Sequence, residues 1–206
     1  TGAAVQKDHC QMTERMPFKS DDITITPDEP WWDGTEVRWS HYKAQEEYVA
    51  KYLGDGGLRH CLVIGSPMTE VDRLAMNNWY VTFLDIRKPV DCKVLSIVGD
   101  ATDIKYYNSS FEAISSTCVL CHAGLGRYGD PVKPNGDVLM MQEMFRVLNP
   151  GGVAVIQAGP SIPWLQKSYV HGNIHRVYQP CEVAVMASKS GFEFVEMALW
   201  VNGNWM

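Results

Sequence analysis

Four side chains in this sequence stand where they could do chemistry. Asp85 closes a short apolar run, 20 positions beyond Gly65, which closes another. A carboxylate at that spacing can accept both hydroxyl protons of a ribose lying across a tight turn. Glycine lets the backbone approach such a ligand without a side-chain clash. Asp100, in Gly99-Asp100-Ala101-Thr102, ends a third run and is placed to accept from an adenine amino group. With Ser66 and Ala101, these residues make a candidate binding set of Gly65, Ser66, Asp85, Asp100 and Ala101. His122 and His175 are the imidazoles best placed to take a proton from a hydroxyl or amine. Blander roles stand beside these: aspartate favours loop starts and helix caps, and a loop histidine can serve by hydrogen-bonding backbone.

The elements that position them alternate along the chain. Residues 1–35 read as an irregular, proline-punctuated arm and residues 36–206 as one domain. From Glu36 to Leu53 apolar residues recur at helical steps, stopped by Gly54 and Gly56-Gly57. Cys61 to Ile64 is a short strand ending at Gly65. Ser66-Pro67 can cap and open a helix carrying Val71, Leu74 and Ala75. Trp79 to Leu84, Lys93 to Val98 and Phe111 to Leu120 are three further strands. Asp137 caps a helix with Val138, Met141, Met144, Phe145 and Leu148 on one side. Asn149-Pro150-Gly151-Gly152 breaks it before a strand from Val153 to Gln157. Short apolar strands alternating with helices predict an α/β fold, a mostly parallel central sheet with helices on both faces. In such a sheet, ligands bind outside the carboxyl ends of the strands, where Gly65, Asp85, Asp100 and His122 fall.

Composition narrows the partners. A formal charge of −6 gives no electrostatic reason to expect nucleic acid or an anionic membrane. No apolar run approaches the roughly 20 residues of a membrane span. The chain opens at Thr1 rather than methionine, as one from which a signal, anchor or tag has been removed would. Asn108-Ser109-Ser110 satisfies the glycosylation rule, but the compartment stays open. Cys61 and Cys118 lie in apolar runs, where buried thiols are expected. Cys118-Val119-Leu120-Cys121-His122 also matches the C-x-x-C-H pattern of covalent haem attachment, a reading set against the burial expected of Cys118. No zinc-ligand spacing is evident.

Taken in order, the strand–turn–helix, Asp85, Gly99-Asp100-Ala101 and Arg146-Val147-Leu148-Asn149-Pro150-Gly151-Gly152 resemble class I methyltransferases, with their "R-x-L-x-P-G-G" turn before strand five. A closer resemblance is to the methyltransferase-like family named domain of unknown function 268. It is carried by His122-Ala123-Gly124-Leu125-Gly126-Arg127-Tyr128-Gly129-Asp130-Pro131 and Asn173-Ile174-His175-Arg176-Val177-Tyr178, within a similarity spanning roughly Leu58 to Trp200. The resemblance implies a Rossmann-like class I methyltransferase fold with S-adenosylmethionine as cofactor. It implies a methyl acceptor that is a small-molecule or glycan oxygen or nitrogen, with His122 and His175 facing the sulfonium. Two departures stand out. Gly65-Ser66-Pro67 replaces the usual Gly-x-Gly turn, and Cys121 occupies a position where the family commonly carries Glu. They support a second reading, a non-catalytic binding or structural subunit of a larger assembly with protein partners.

Other residues have structural expectations. The three glycines of the His122–Pro131 loop imply tight positive-φ turns, locked from within by Arg127 and Asp130. Arg127 and Arg176 would pair with Asp130 or an acidic substrate. Trp31-Trp32, Trp39 and Trp164 suit core or docking, and Met140, Met141 and Met144 suit helix packing.

Overall fold

The computed structural model describes residues 40–66, 68–89, 91–159, 161, 167–201 and 204–205. The expected arm, Trp31, Trp32, Trp39, Pro67 and Trp164 lie outside the described residues.

Five parallel strands form the sheet: β1 (His60–Ile64), β2 (Tyr80–Asp85), β3 (Leu95–Val98), β4 (Phe111–Thr117) and β5 (Leu148–Gln157), in the order β3-β2-β1-β4-β5. The chain runs outward from β1 to β3, then crosses back to β4 on the other side of β1. The strand order therefore reverses between β1 and β4, leaving a crevice at their carboxyl ends. Cys61 to Ile64 are all at most 1% exposed, which is why β1 reads as a continuous apolar run rather than an alternating one. The ladder continues past the strand ends: Gly65 N donates to Leu84 O at 2.9 Å, and Gly99 N to Asp85 O at 2.9 Å.

Helices cover both faces. On one face, Val49 of α1 (Ser40–Tyr52), Leu53 in the turn after it, and Val71 and Leu74 of α2 (Met68–Met76) pack with Cys61, Val63 and Phe83. On the other, Met140, Met141 and Met144 of α3 (Gly136–Val147) and Met186 of α4 (Pro180–Lys189) pack with Leu62, Ile64 and Ile114. This is an α/β architecture, a parallel sheet with helices on both faces. Between β5 and α4 the chain forms an antiparallel hairpin, β6 (Tyr169–His171) with β7 (His175–Val177), and a second, β8 (Trp200–Val201) with β9 (Asn204–Trp205), follows α4.

Several details differ from the expectations. Strand β4 stops at Thr117, because Cys118 adopts φ 58° and turns the chain out of the sheet. Helix α3 begins at Gly136 with Asn135 as its flanking residue; Asp137 sits one residue inside the helix and is fully buried. Asn149-Pro150-Gly151-Gly152 does not break the chain before β5 but lies within it. A register shift between Phe111 and Ala113 and φ 78° at Gly151 accommodate these residues. Ala75 and Phe145 are exposed, although Phe145 packs edge-on against Phe192. His175 is the first residue of β7 rather than a loop residue, paired across the hairpin with His171.

Candidate active site

Gly65 ends β1 with φ 57°, a conformation that favours glycine. A Cβ there would collide with a Val119 methyl and stand 3.4 Å from Asp85 Oδ2. The backbone of the turn and one carboxylate oxygen of Asp85 thus face the same small space. Asp85 Oδ1 accepts from Arg87 N at 2.7 Å and lies 3.7 Å from Arg87 Nε. Burial pushes the Asp85 carboxyl above the ordinary range, and its bonds to Arg87 offset only part of that. Ser66 is buried, its hydroxyl donating to Ile64 O at 3.4 Å. Asp100, at the end of β3, is already engaged. It accepts from Thr102 N at 2.8 Å and Thr102 Oγ1 at 2.7 Å, and pairs with Lys133 Nζ at 2.9 Å. Burial opposes ionisation of Asp100, but these bonds hold its carboxyl below the ordinary value. Ala101 packs against the core beside it.

The loop after β4 brings His122 to the same edge of the sheet. Gly124, Gly126 and Gly129 have φ of 74°, 72° and 84°, as tight turns require. Asp130 locks the loop by accepting from Gly126 N at 3.1 Å and Tyr128 N at 3.2 Å. Arg127 does not pair with it; its guanidinium lies 5.4 Å from the Tyr128 ring centre. The Tyr128 ring touches His122 edge-on at 5.5 Å, and Arg87 lies 4.7 Å from its centre on the way to Asp85. His122 and His175 are 6.4 Å apart, His175 and His171 5.6 Å. A line of contacts therefore runs Asp85–Arg87–Tyr128–His122–His175.

The hairpin pins the loop from behind. Arg176 is 1% exposed. Its Nη1 donates to Ala123 O at 2.6 Å, its Nη2 to Pro134 O at 3.2 Å, and its backbone N to Cys121 O at 2.8 Å. Its charge partner is Asp137, with Nε 3.6 Å from Oδ2, rather than the expected Asp130. Tyr178 donates to the same Asp137 Oδ2 at 3.0 Å. The hairpin tip places Ile174 O 2.6 Å from His122 Nδ1. A carbonyl only accepts, so Nδ1 carries the proton and Nε2 keeps a free lone pair. Burial lowers the His122 pKa to about 4; the bond to Ile174 resists this, while Arg127, His175 and Arg176 reinforce it. His122 is thus a neutral base at neutral pH. His175 is lowered too, by burial and then by His171 and Arg127.

The C-x-x-C-H thiols are enclosed. Cys118 Sγ donates to Gln157 Oε1 at 3.3 Å and Cys121 Sγ to Cys118 O at 3.3 Å. Burial raises both, Cys118 to about 12. Covalent haem attachment would have to open this packing. Among the described residues no three His, Cys, Asp or Glu side chains converge to hold a metal ion, and no helix is long and apolar enough to cross a membrane.

Sequence reasoning missed Glu70, in the first turn of α2 and 2% exposed. Its carboxyl is held by Ser115 Oγ and by Thr117 Oγ1, the latter at 2.8 Å. Burial raises its pKa despite these bonds and one from Ser66. A carboxyl whose folded pKa is raised favours folding below its unfolded pKa, and that contribution is lost as pH rises through the folded value. Glu70→Gln should therefore raise the melting temperature at pH 8, with the gain shrinking towards pH 4. Equal melting at both pH values would mean that Glu70 is not held as the acid.

Alongside this edge a groove of about 1850 Å³ runs by β5, reaching His122, Arg127, Tyr128 and His175 at one end. It exceeds the roughly 300–1,000 Å³ of small-ligand pockets. Gly65, Asp85 and Asp100 do not line it; Tyr128 and Arg87 stand between.

Solved structures share the fold. A Burkholderia thailandensis 1,6-didemethyltoxoflavin-N1-methyltransferase, solved with 1,6-didemethyltoxoflavin and S-adenosylhomocysteine bound, is similar at TM-score 0.59 and 15% identity over 79% of this chain and 71% of that one. The [4+2]-cyclase SpnF is similar at TM-score 0.57 and 17% identity over 82% and 66%. An S-adenosylmethionine-dependent methyltransferase from Mesorhizobium loti is similar at TM-score 0.57 and 13% identity over 81% and 87%. No curated protein matches the sequence. One family model does match, across residues 61–199, and spans β1 through α4 with both motif segments that meet at His122. The chain belongs to that family, described as Caenorhabditis protein of unknown function, DUF268.

Proposed function

We propose that this protein is an S-adenosylmethionine-dependent methyltransferase acting on a small-molecule or glycan oxygen or nitrogen. The observation that carries the reading is the line from Asp85 through Arg87 and Tyr128 to His122. It brings the Asp85 carboxylate and the neutral His122 imidazole to one edge of the sheet, with the Arg87 guanidinium and the Tyr128 ring between them. The residues fit the cofactor. The Gly65 turn has no Cβ of its own, a Val119 side chain being the group that packs there, and Asp85 Oδ2 faces that turn. Gly65, Ser66 and Asp85 would hold the nucleoside and the methionine end, while Asp100 and Ala101 flank the adenine. When bound, the cofactor supplies an electrophilic methyl group.

The chain's own part is positioning and proton transfer. Ile174 O fixes the His122 tautomer, so Nε2 is the nitrogen that takes the acceptor's proton. His175 orients the acceptor from the hairpin. Tyr128, edge-on to His122, stands between the nucleoside side and the groove.

A second reading has its own observations. Val119 packs onto Gly65, and Arg87 already pairs with Asp85, so both occupy the crevice. Those contacts suit a non-catalytic subunit that keeps the fold for binding another protein. The SpnF cyclase illustrates that this fold also hosts other chemistry.

Calorimetric titration with S-adenosylmethionine and S-adenosylhomocysteine separates the two, since the subunit reading expects no heat of binding. Asp85→Ala should weaken either ligand by about 1.5–3 kcal/mol, the scale of a hydrogen bond to a charged group. Unchanged affinity in that variant would remove Asp85 from the cofactor site.

A further inference from the structure

At the histidine end of the groove one cation has no charge partner among the described residues. Arg127 is half-buried, and among the described residues its guanidinium forms no hydrogen bond or ion pair, only the contact with the Tyr128 ring. The other arginines nearby are matched: Arg87 with Asp85, and Arg176 with Asp137. The carboxylate closest in sequence, Asp130, is turned to the backbone N–H groups of Gly126 and Tyr128. A partly desolvated guanidinium left unmatched is costly, and its planar fork suits a carboxylate or phosphate. His122 and His175 line the same end of the groove as Arg127, and His171 lies beside His175.

We propose that this corner is an oxyanion subsite, in which Arg127 holds a carboxylate or phosphate group of the acceptor, His175 and His171 flank it, and His122 Nε2 meets the acceptor's hydroxyl or amine. Its role as the acceptor's anchor rests on the methyltransferase reading; anion binding itself does not.

The subsite also tunes the base. The groups facing His122 are the Arg127 and Arg176 cations, the His175 ring, the Tyr128 ring and the Ile174 carbonyl. His175 faces His171 and Arg127. A bound anion cancels the field of Arg127 at both rings and raises their proton affinity. The imidazole thus becomes a stronger base once the anionic acceptor is seated, and the imidazolium formed on proton uptake sits beside a negative charge.

The test uses the whole 206-residue chain with ¹⁵N-labelled histidine, titrated with inorganic phosphate against chloride at constant ionic strength. Phosphate, not chloride, should raise the apparent pKa of His122 and His175 by about one unit, a tenfold preference for the protonated rings. His60, which packs on Tyr80 at the opposite end of β1, is the internal control and should not move. Arg127→Gln should weaken phosphate at least about tenfold, a loss of about 1.4 kcal/mol, whereas Arg127→Lys should restore most of it. Phosphate effects that survive Arg127→Gln, or that move His60 equally, overturn the subsite. Calorimetry with S-adenosylhomocysteine on the same samples keeps the two readings apart. Cofactor binding without a phosphate effect removes the subsite alone. A phosphate effect without cofactor binding supports the subsite and removes the methyltransferase.

Discussion

His122→Asn should lower methyl transfer by about 10²–10⁴-fold, the range for a lost general base, while S-adenosylhomocysteine affinity stays within about twofold, less than 0.5 kcal/mol. Asparagine is the informative replacement because its amide nitrogen can stand where Nδ1 does. It can still donate to Ile174 O, which lies 2.6 Å from His122 Nδ1, so the tie between loop and hairpin survives and only the Nε2 lone pair is lost. If His122 merely shaped the loop, His122→Asn would be nearly silent and His122→Ala would be damaging. If it takes the proton, both variants lose turnover. The pH profile provides a second check. With a pKa near 4 in the free protein, His122 is unprotonated above that value, so wild-type kcat/KM should fall along an acid limb only towards pH 4. That limb should be absent from the residual activity of the variant. The measurement is transfer of radiolabelled methyl to a panel of hydroxy- and amino-carboxylates.

What sequence could say about this arrangement depended on how far apart the interacting residues lie. The strand ends at Gly65 and Asp85 were legible because β1 and β2 are buried on both faces, so their apolar runs stop where the sheet stops. The parallel sheet was legible from the alternation of short strands with helices. The hairpin of β6 and β7 was not legible. Each strand has three residues, and Tyr169, His171, His175 and Arg176 present no apolar period. Glu70 escaped notice because a glutamate in a first helical turn reads as an ordinary favourable charge at the helix dipole. Only the fold reveals Ser115 and Thr117 of β4 above it. Asp100 fell at the expected strand end, yet its engagement by Lys133 comes from a residue 33 positions away. Arg176 and Asp137 likewise belong to different elements. No spacing rule links them, and Asp130 looked the better partner only because it lies within the His122–Pro131 motif.

Arg176→Met should be the most destabilising single change in the candidate site. The guanidinium is buried with Asp137, whose side chain is fully enclosed, and it satisfies two loop carbonyls, Ala123 O and Pro134 O. Methionine keeps the volume but removes the charge, taking from the buried Asp137 carboxylate the cation that faces it. Breaking a buried pair on one side costs about 3–5 kcal/mol. For a chain of this length that corresponds to a fall in melting temperature of roughly 6–20 °C. Asp137→Leu should cost a similar amount. The double variant should lose clearly less than the sum, because the second change removes a charge that the first left stranded. Additive losses would show that the two residues act separately. The same experiment links the fold to the chemistry. Arg176 N and side chain tie the hairpin to Cys121 and Ala123, and the hairpin tip carries Ile174 O to His122. Loosening that tie frees His122 to flip its ring or change tautomer, so Arg176→Met should also broaden or split the His122 imidazole resonances well below its melting temperature. His60 should stay sharp. A sharp, unshifted His122 signal in the folded variant would mean that the hairpin supports the loop without setting its base.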